Sequence, residues 1–157
     1  MTSSLVVDLD TADATVALGR SLGAILRAGD LVVLTGELGA GKTTLARGIG
    51  EALDVRGPIT SPTFVIARRH PSNRVGPALV HVDAYRLGSS ADIDDLDLEL
   101  DDAVTVVEWG AGRVEHLADS WLLVELREQG DGRHASIRGS GRRWEGMNLS
   151  LALRAGG

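Results

Sequence analysis

The amino-acid sequence predicts a single α/β domain whose mixed, mostly parallel central sheet is flanked by helices. Short apolar runs typical of buried parallel strands alternate along the chain with segments of helical periodicity. A glycine-rich stretch, GELGAGKTT, joins one of these runs directly to one of these helices. The 157 residues are most simply one domain. We expect its core at about 10–126 and edge strands and a tail over 127–157.

The first third of the chain predicts a strand, a helix and a second strand. LVVDL (5–9) is a short strand, and Asp10 or Thr11 can cap the helix after it. Gly29 is a stop signal for that helix, and LVVLT (31–35) suits a buried parallel strand. The helix has one apolar face at a spacing of three or four residues, formed by Ala14, Leu18, Leu22, Ile25 and Leu26.

The remaining elements follow from the same signals. A helix over about 43–53 follows the glycine-rich loop, and the loop GPITSPTF leads into a strand that ends near Ala67. The turn-rich RRHPSNRVGP then predicts a hairpin to a strand at 78–83. Later in the chain we expect one or two helices in the acidic segment, strands at 103–109 and 121–126, an edge strand in RHASIRG, and a weakly patterned C-terminal segment.

Charge and composition exclude several classes of protein. The net charge is −6, and seven carboxylates lie within the segment Asp92–Asp102, so the rest of the chain is close to neutral. This distribution does not favour a nonspecific nucleic-acid binder, which usually has a basic face. Disulfides and cysteine-ligated zinc are excluded because the chain has no cysteine. The sequence has no long apolar run and no secretory signal pattern, so we expect a cytoplasmic protein without a membrane partner.

The segment Gly36–Thr43 matches the phosphate-loop pattern G-x-x-x-x-G-K-[ST] in full. Glycines allow successive N–H groups to face phosphate oxygens, and the following helix adds its positive N-terminal end. Lys42 is the one lysine beside fifteen arginines. An ammonium is a compact charge that reaches the β- and γ-phosphates, which a planar guanidinium cannot do in the same way. The hydroxyl of Thr43 can bind Mg²⁺, so this loop predicts a nucleoside triphosphate site.

Two carboxylates follow apolar strands and are candidates for the acidic half of that site. Asp83 ends LVHVD and Glu108 ends VTVVE. Ligands of open α/β sheets bind at the carboxyl ends of the strands. Both acids would lie beside the loop if strands 31–35, 78–83 and 103–108 are neighbours.

Two further polar groups accompany these acids. His81 shares a strand face with Asp83, and we expect a polar, structural or switch role for it because no third metal ligand accompanies it. The hydroxyl-rich loop TSPTF contains Thr60, Ser61 and Thr63 and is a candidate for a switch-like segment that senses the γ-phosphate.

GELGAGKTT, SPTF, HVDAYRL and VEW, in this order and spacing, resemble the TsaE (YjeE) family of bacterial P-loop ATPases over about residues 10–125. The resemblance implies an ATPase that uses ATP and Mg²⁺ and supports N6-threonylcarbamoyladenosine formation at position 37 of tRNAs that read codons starting with A. It also implies that homologues of TsaD and TsaB are the protein partners. The tRNA would be met indirectly, through their complex.

The resemblance also assigns roles to residues of this chain. It implies that Lys42, Asp83 and Glu108 are catalytic, and that Thr43, Glu108 and Asp83 lie on the metal side of the site. Tyr85 and Arg86 would contact the site or the partner. The nucleotide would be bound by the loop, by the segment before the first helix and by the tryptophan after Glu108, that is by Thr11, Ala12, Glu37, Leu38, Gly39, Ala40, Gly41, Lys42, Thr43, Thr44 and Trp109.

Three other functions compete with this interpretation. A P-loop small-molecule kinase would need an acceptor pocket and a lid arginine, a role for which Arg68 and Arg69 are candidates. A GTPase is disfavoured because neither Asn73 nor Asn148 begins an N-K-x-D motif. A nucleotide-dependent scaffold would not require hydrolysis.

Overall fold

The computed structural model describes residues 4–36, 41–57, 59, 67–84, 100–109, 111–112, 114–130 and 132–156. Its described part contains a seven-stranded sheet, three α-helices and one turn of 3-10 helix at Glu115–Leu117. The strands are β1 (Ser4–Leu9), β2 (Leu31–Gly36), β3 (Ala67–His70), β4 (Ala78–Asp83), β5 (Ala103–Glu108), β6 (Trp121–Gln129) and β7 (Gly132–Ser140). The helices are α1 (Ala12–Ile25), α2 (Lys42–Leu53) and α3 (Leu149–Gly156).

The sheet is mixed, with a parallel centre and antiparallel margins. Its strand order is β1-β7-β6-β2-β5-β4-β3. The four central strands β6, β2, β5 and β4 are parallel, whereas β7, β1 and β3 are joined by antiparallel pairings. The carboxyl ends of β2, β5 and β4 therefore meet at one edge of the sheet, as expected from the sequence.

Helix α1 forms where the apolar periodicity predicts it. Thr11 is its N-cap, and the Thr11 hydroxyl oxygen accepts a hydrogen bond of 3.0 Å from the Ala14 N–H. The helix ends at Ile25, four residues before the predicted stop at Gly29, which instead has a φ of 93° in the turn that leads into β2. Leu18 and Leu22 are buried against the sheet, so this face anchors the helix.

Two glycines allow α1 and α2 to cross at very short distance. A Cβ atom built on Gly48 of α2 would lie 2.2 Å from the carbonyl oxygen of Val16. A Cβ atom built on Gly19 of α1 would lie 2.3 Å from the carbonyl oxygen of Leu45. Because the obstructing atoms are backbone atoms of the opposite helix, neither position has room for a larger residue. This contact fixes α2, the helix that follows the phosphate loop.

The apolar core lies on both faces of the sheet. On the face that carries α1 and α2, Val32, Leu34, Val104 and Val106 of the central strands pack with both helices. The opposite face buries alternate residues of the same strands, including Val33 and Val107.

An ion pair that is partly buried connects the C-terminal part to this framework. Nε of Arg143 lies 3.1 Å from Oδ1 of Asp30, and a terminal guanidinium nitrogen of Arg143 donates to the Ile25 carbonyl oxygen at 2.7 Å. The neighbouring Trp144 is 1% exposed in the helix-side core. Asp30 precedes β2, so the pair ties the chain after β7 to the start of the central strand.

Three predicted elements differ from the structure. The strand expected to end near Ala67 extends to His70, because residues 67–70 pair with β4. RHASIRG is not an edge strand, because β7 lies between β6 and β1, and β1 takes the edge. The weakly patterned C-terminal segment contains α3, whose Leu149 and Leu153 enter the core. The pairing of β3 with β4, the pairing of β7 with the distant β1 and the packing of α3 on the core decide these three features.

None of the helices in the described ranges is long and apolar enough to cross a membrane.

We predict that Gly48→Ala destabilises the protein even though alanine is the better helix former. The added methyl group meets the backbone of α1, and overpacking of this kind costs about 1–3 kcal/mol. The free energy of unfolding from urea denaturation measures the effect. Gly76→Ala is the matched control, because the nearest atom to its added Cβ is the Ser72 hydroxyl oxygen at 3.6 Å. Equal stability of the two variants would contradict the close-crossing interpretation.

Candidate functional site

Polar side chains of three elements meet at the carboxyl edge of the parallel strands. Glu108 is the last residue of β5, which lies between β2 and β4. In the strand register Glu108 is opposite Leu34 on one side and Asp83 on the other. The two predicted acids are therefore neighbours, beside the strand that leads into the phosphate loop.

The first glycine of the loop is required by packing. Gly36 ends β2 with a φ of 146°, and a Cβ atom built on it would lie 2.4 Å from the Leu126 carbonyl oxygen of β6. The close approach of two strand backbones thus explains why this position of the motif is glycine. Four predicted nucleotide ligands, Glu37, Leu38, Gly39 and Ala40, lie outside the described residues.

Lys42 begins α2, and its side chain is buried. Its Nζ donates a hydrogen bond of 3.0 Å to the Gly36 carbonyl oxygen, so the side chain closes the loop from end to start. Burial lowers the pKa of the Lys42 ammonium from its usual value of 10.5, and the charges of Glu108 and Asp83 oppose that shift. The two acids therefore favour the charged form that phosphate binding requires.

Trp109 covers the same ammonium. The Lys42 Nζ lies 3.9 Å from the centroid of the Trp109 ring, within the range of a cation–π interaction. Trp109 has a left-handed φ of 63°, a conformation that costs a non-glycine residue about 1–2 kcal/mol. A hydrogen bond of 2.8 Å from its N–H to the Leu34 carbonyl oxygen helps hold the backbone there. The strained backbone keeps the ring over Lys42.

Thr43 connects α2 to the end of β5. Its hydroxyl donates toward the Glu108 carboxylate, with Oγ1 lying 3.2 Å from Oε1 and 3.1 Å from Oε2. The two residues are 65 positions apart in the sequence. Two residues that were both expected on the metal side of the site are therefore hydrogen-bonded to each other in the folded chain.

His81 of β4 contacts the same carboxylate. Its Nε2 lies 2.5 Å from Oε2 of Glu108, and the side chains of His81 and Glu108 are 1% and 6% exposed. An ionised carboxylate can only accept hydrogen bonds, so Nε2 is the donor. A polar role for His81 was expected from the sequence, but its partner Glu108 follows only from the register of β4 and β5.

The oxygen-rich donor set fits a magnesium ion. Thr43 and Glu108 offer a hydroxyl and a carboxylate at hydrogen-bonding distance, and Asp83 adds a carboxylate on the adjacent strand. Within the described ranges, no group of three or more His, Cys, Asp and Glu side chains is arranged to hold a metal ion alone. Mg²⁺ usually takes one or two carboxylates and completes its shell with phosphate and water, and the Thr43 hydroxyl and the Glu108 carboxylate are ligands of that kind.

The start of α1 and the start of β7 also reach the loop. A Cβ atom built on Gly41 would lie 3.6 Å from the methyl group of Thr15. It would lie 3.7 Å from Cδ and 3.8 Å from Nε of Arg133. Thr11 and Ala12, predicted to approach the nucleotide, are exposed at the first turn of the same helix, and Thr44 lies in the first turn of α2. Arg133 was missed, because only the register of β7 brings it beside the loop.

Several predicted residues cannot be placed in this site. Thr60, Ser61 and Thr63 of the switch-like loop lie outside the described residues, as do Tyr85 and Arg86. The two arginines considered for a kinase lid are part of β3. Arg69 pairs with Asp102 at 2.8 Å, so it belongs to the strand surface.

Comparison with known proteins gives a consistent match. A family model described as "Threonylcarbamoyl adenosine biosynthesis protein TsaE" matches residues 9–135. The tRNA threonylcarbamoyladenosine biosynthesis protein TsaE of Streptomyces coelicolor is 57% identical over 142 residues, which are 85% of this chain and 96% of that protein. The protein of the same name from Mycobacterium tuberculosis is 53% identical over 135 residues, or 80% of each chain.

A solved structure shares the whole architecture. The crystal structure of YdiB from Bacillus subtilis has a TM-score of 0.75 and 30% sequence identity, and the match covers 99% of this chain and 97% of that one. The fold is that of P-loop nucleotide-binding proteins.

We predict that Lys42→Arg weakens binding of a fluorescent ATP analogue by about tenfold or more, equivalent to about 1.4 kcal/mol. A guanidinium is larger than the ammonium that fits between the Gly36 carbonyl and the Trp109 ring. Arg47→Lys is the matched control, because Arg47 is exposed on the same helix. An affinity for Lys42→Arg equal to that of the control would contradict the assignment.

Proposed function

The chain belongs to the TsaE family of threonylcarbamoyl adenosine biosynthesis proteins, and on that premise we propose that it is a Mg²⁺-dependent ATPase. In this proposal its ATP hydrolysis supports N6-threonylcarbamoyladenosine formation at position 37 of tRNAs that read codons beginning with A. The observation that carries the proposal is the hydrogen-bonded contact between Thr43 of the phosphate loop and Glu108 at the end of β5.

The nucleotide is proposed to be ATP, bound along the loop and the start of α2. The N-terminal end of α2 and Lys42 would bind the phosphates, since both present positive charge at the same place. Thr15 of α1 and Arg133 lie close to Gly41, so Arg133 and the start of α1, with Thr11 and Ala12, would contact the remainder of the nucleotide. The absence of an N-K-x-D motif disfavours GTP.

The acidic residues divide between the metal and the attacking water. Thr43 and Glu108 would hold Mg²⁺, directly or through water, and when bound this ion neutralises charge on the phosphates. Asp83, on the neighbouring strand, would accept a hydrogen bond from the water molecule that attacks the γ-phosphate. Trp109 would keep the Lys42 ammonium in place until the phosphates arrive.

The partners are proposed to be homologues of TsaD and TsaB, whose complex would meet the tRNA. The chain would not transfer the threonylcarbamoyl group itself. Thr60, Ser61, Thr63, Tyr85 and Arg86 are the candidates for groups that the partner orders or completes. A partner-completed site would hydrolyse ATP slowly until the partner binds.

We predict slow release of phosphate by the isolated chain and faster release when purified TsaD and TsaB homologues are added. Steady-state phosphate release without any added acceptor measures both rates. The absence of an acceptor also separates an ATPase from a small-molecule kinase. Glu108→Gln is the control, because it keeps the side-chain size and removes the negative charge. Full activity of the isolated chain, unchanged by the partners, would contradict partner activation.

We predict that depletion of this protein in its own cells lowers the threonylcarbamoyl modification of tRNA. Mass spectrometry of nucleosides from purified tRNA measures the modification. Re-expression of the wild-type chain should restore it and Glu108→Ala should not, because the variant lacks the metal-side carboxylate. Unchanged modification on depletion would remove the proposed role, and restoration by Glu108→Ala would favour a scaffold that does not need hydrolysis.

A further inference from the structure

We propose that His81 is a positioning residue that fixes the Glu108 carboxylate in the orientation needed to hold the metal ion with Thr43. The inference rests on the proposed function, because it takes Glu108 as a metal-side ligand. It assigns a role to a buried histidine that the proposed reaction does not otherwise use. His81 would touch neither the nucleotide nor the metal, and would act only through Glu108.

His81 and Thr43 contact the Glu108 carboxylate from two different elements of the fold. His81 lies on β4 two residues before Asp83, so both side chains point to the face of the sheet that carries α2. In the register His81 is opposite Val106, two residues before Glu108, so its ring reaches diagonally toward the strand end. The carboxylate is therefore held from the strand side by His81 and from the loop side by Thr43.

Because Glu108 is buried, its hydrogen bond with His81 is important. Glu108 is 5% exposed, and a buried carboxylate is stable only when its oxygens accept hydrogen bonds. The Thr43 hydroxyl has one proton to donate, and its oxygen lies at similar distances from Oε1 and Oε2 of Glu108, so it does not select one carboxylate orientation by itself. His81 is the donor that fixes Oε2. Hydrogen-bonding partners behind metal ligands typically change metal affinity or activity by about 10–100-fold when they are removed.

A merely structural role for His81 predicts a different outcome. In that case the loss of the histidine lowers the stability of the fold but leaves the magnesium dependence of nucleotide binding unchanged. His70 supplies the comparison, because it is 5% exposed on the adjacent strand β3. Its Nδ1–H donates to the Arg56 carbonyl oxygen at 3.1 Å, away from Glu108.

The experiment measures the binding of a fluorescent ADP analogue to the full chain as a function of Mg²⁺ concentration, with an EDTA reference. His81→Leu removes the donor, His81→Gln keeps a donor near the position of Nε2, and His81→Asn keeps polarity with a shorter reach. We expect similar affinities in EDTA for all variants. The Mg²⁺ concentration that gives half of the full change in nucleotide affinity should rise about tenfold or more in His81→Leu and His81→Asn. In His81→Gln it should stay within about threefold of the wild-type value.

The His70→Leu control should melt at a lower temperature than wild type and keep the wild-type Mg²⁺ curve. If His81→Leu does not fold, the comparison of His81→Asn with His81→Gln carries the test. If the Mg²⁺ curves of His81→Leu and His81→Asn coincide with that of wild type or of His70→Leu, the positioning role is overturned. A wild-type protein whose nucleotide binding does not depend on Mg²⁺ would instead contradict the proposed function itself.

Discussion

A carboxylate buried at the end of a strand has to be hydrogen-bonded, and in this protein that constraint organises the site. Glu108 meets it with Thr43 from the loop helix and His81 from the neighbouring strand. One side chain thereby connects α2, β5 and β4 at the place where the parallel strands end. The same carboxylate, together with Asp83, offsets the effect of burial on the charge of Lys42. The positive and negative halves of the site therefore stabilise each other.

The position of α2 depends on close backbone packing, which the rest of the fold supplies. The glycine contact between α1 and α2 fixes the helix from one side, and the approach of Gly36 to Leu126 fixes the strand that precedes the loop. The partly buried Arg143–Asp30 pair holds the C-terminal part against the start of the same strand. Packing density at these contacts leaves little freedom for the loop ends, so Lys42 and Thr43 are presented in a defined geometry.

Most of the framework follows from local patterns in the sequence. Apolar runs predict β2, β4 and β5, and the capping threonine and spaced leucines predict α1. The acids at the ends of β4 and β5 were expected at one edge, because parallel strands of an open sheet bring their carboxyl ends together. The extent of β3, the interior position of β7 and the docking of α3 were not predicted. Each of them depends on contacts between elements, and the periodicity of one segment contains no information about its neighbours in the fold.

The sequence by itself determined the phosphate loop, its lysine and the two acids, because their signals are short and contiguous and the physics of phosphate binding explains each residue. It also identified the family through four motifs in a fixed order. Only the tertiary structure decided that His81 holds Glu108, that Trp109 covers Lys42 and that Arg133 approaches Gly41. These contacts join residues whose neighbourhood is set by strand order and register, and those are properties of the assembled sheet.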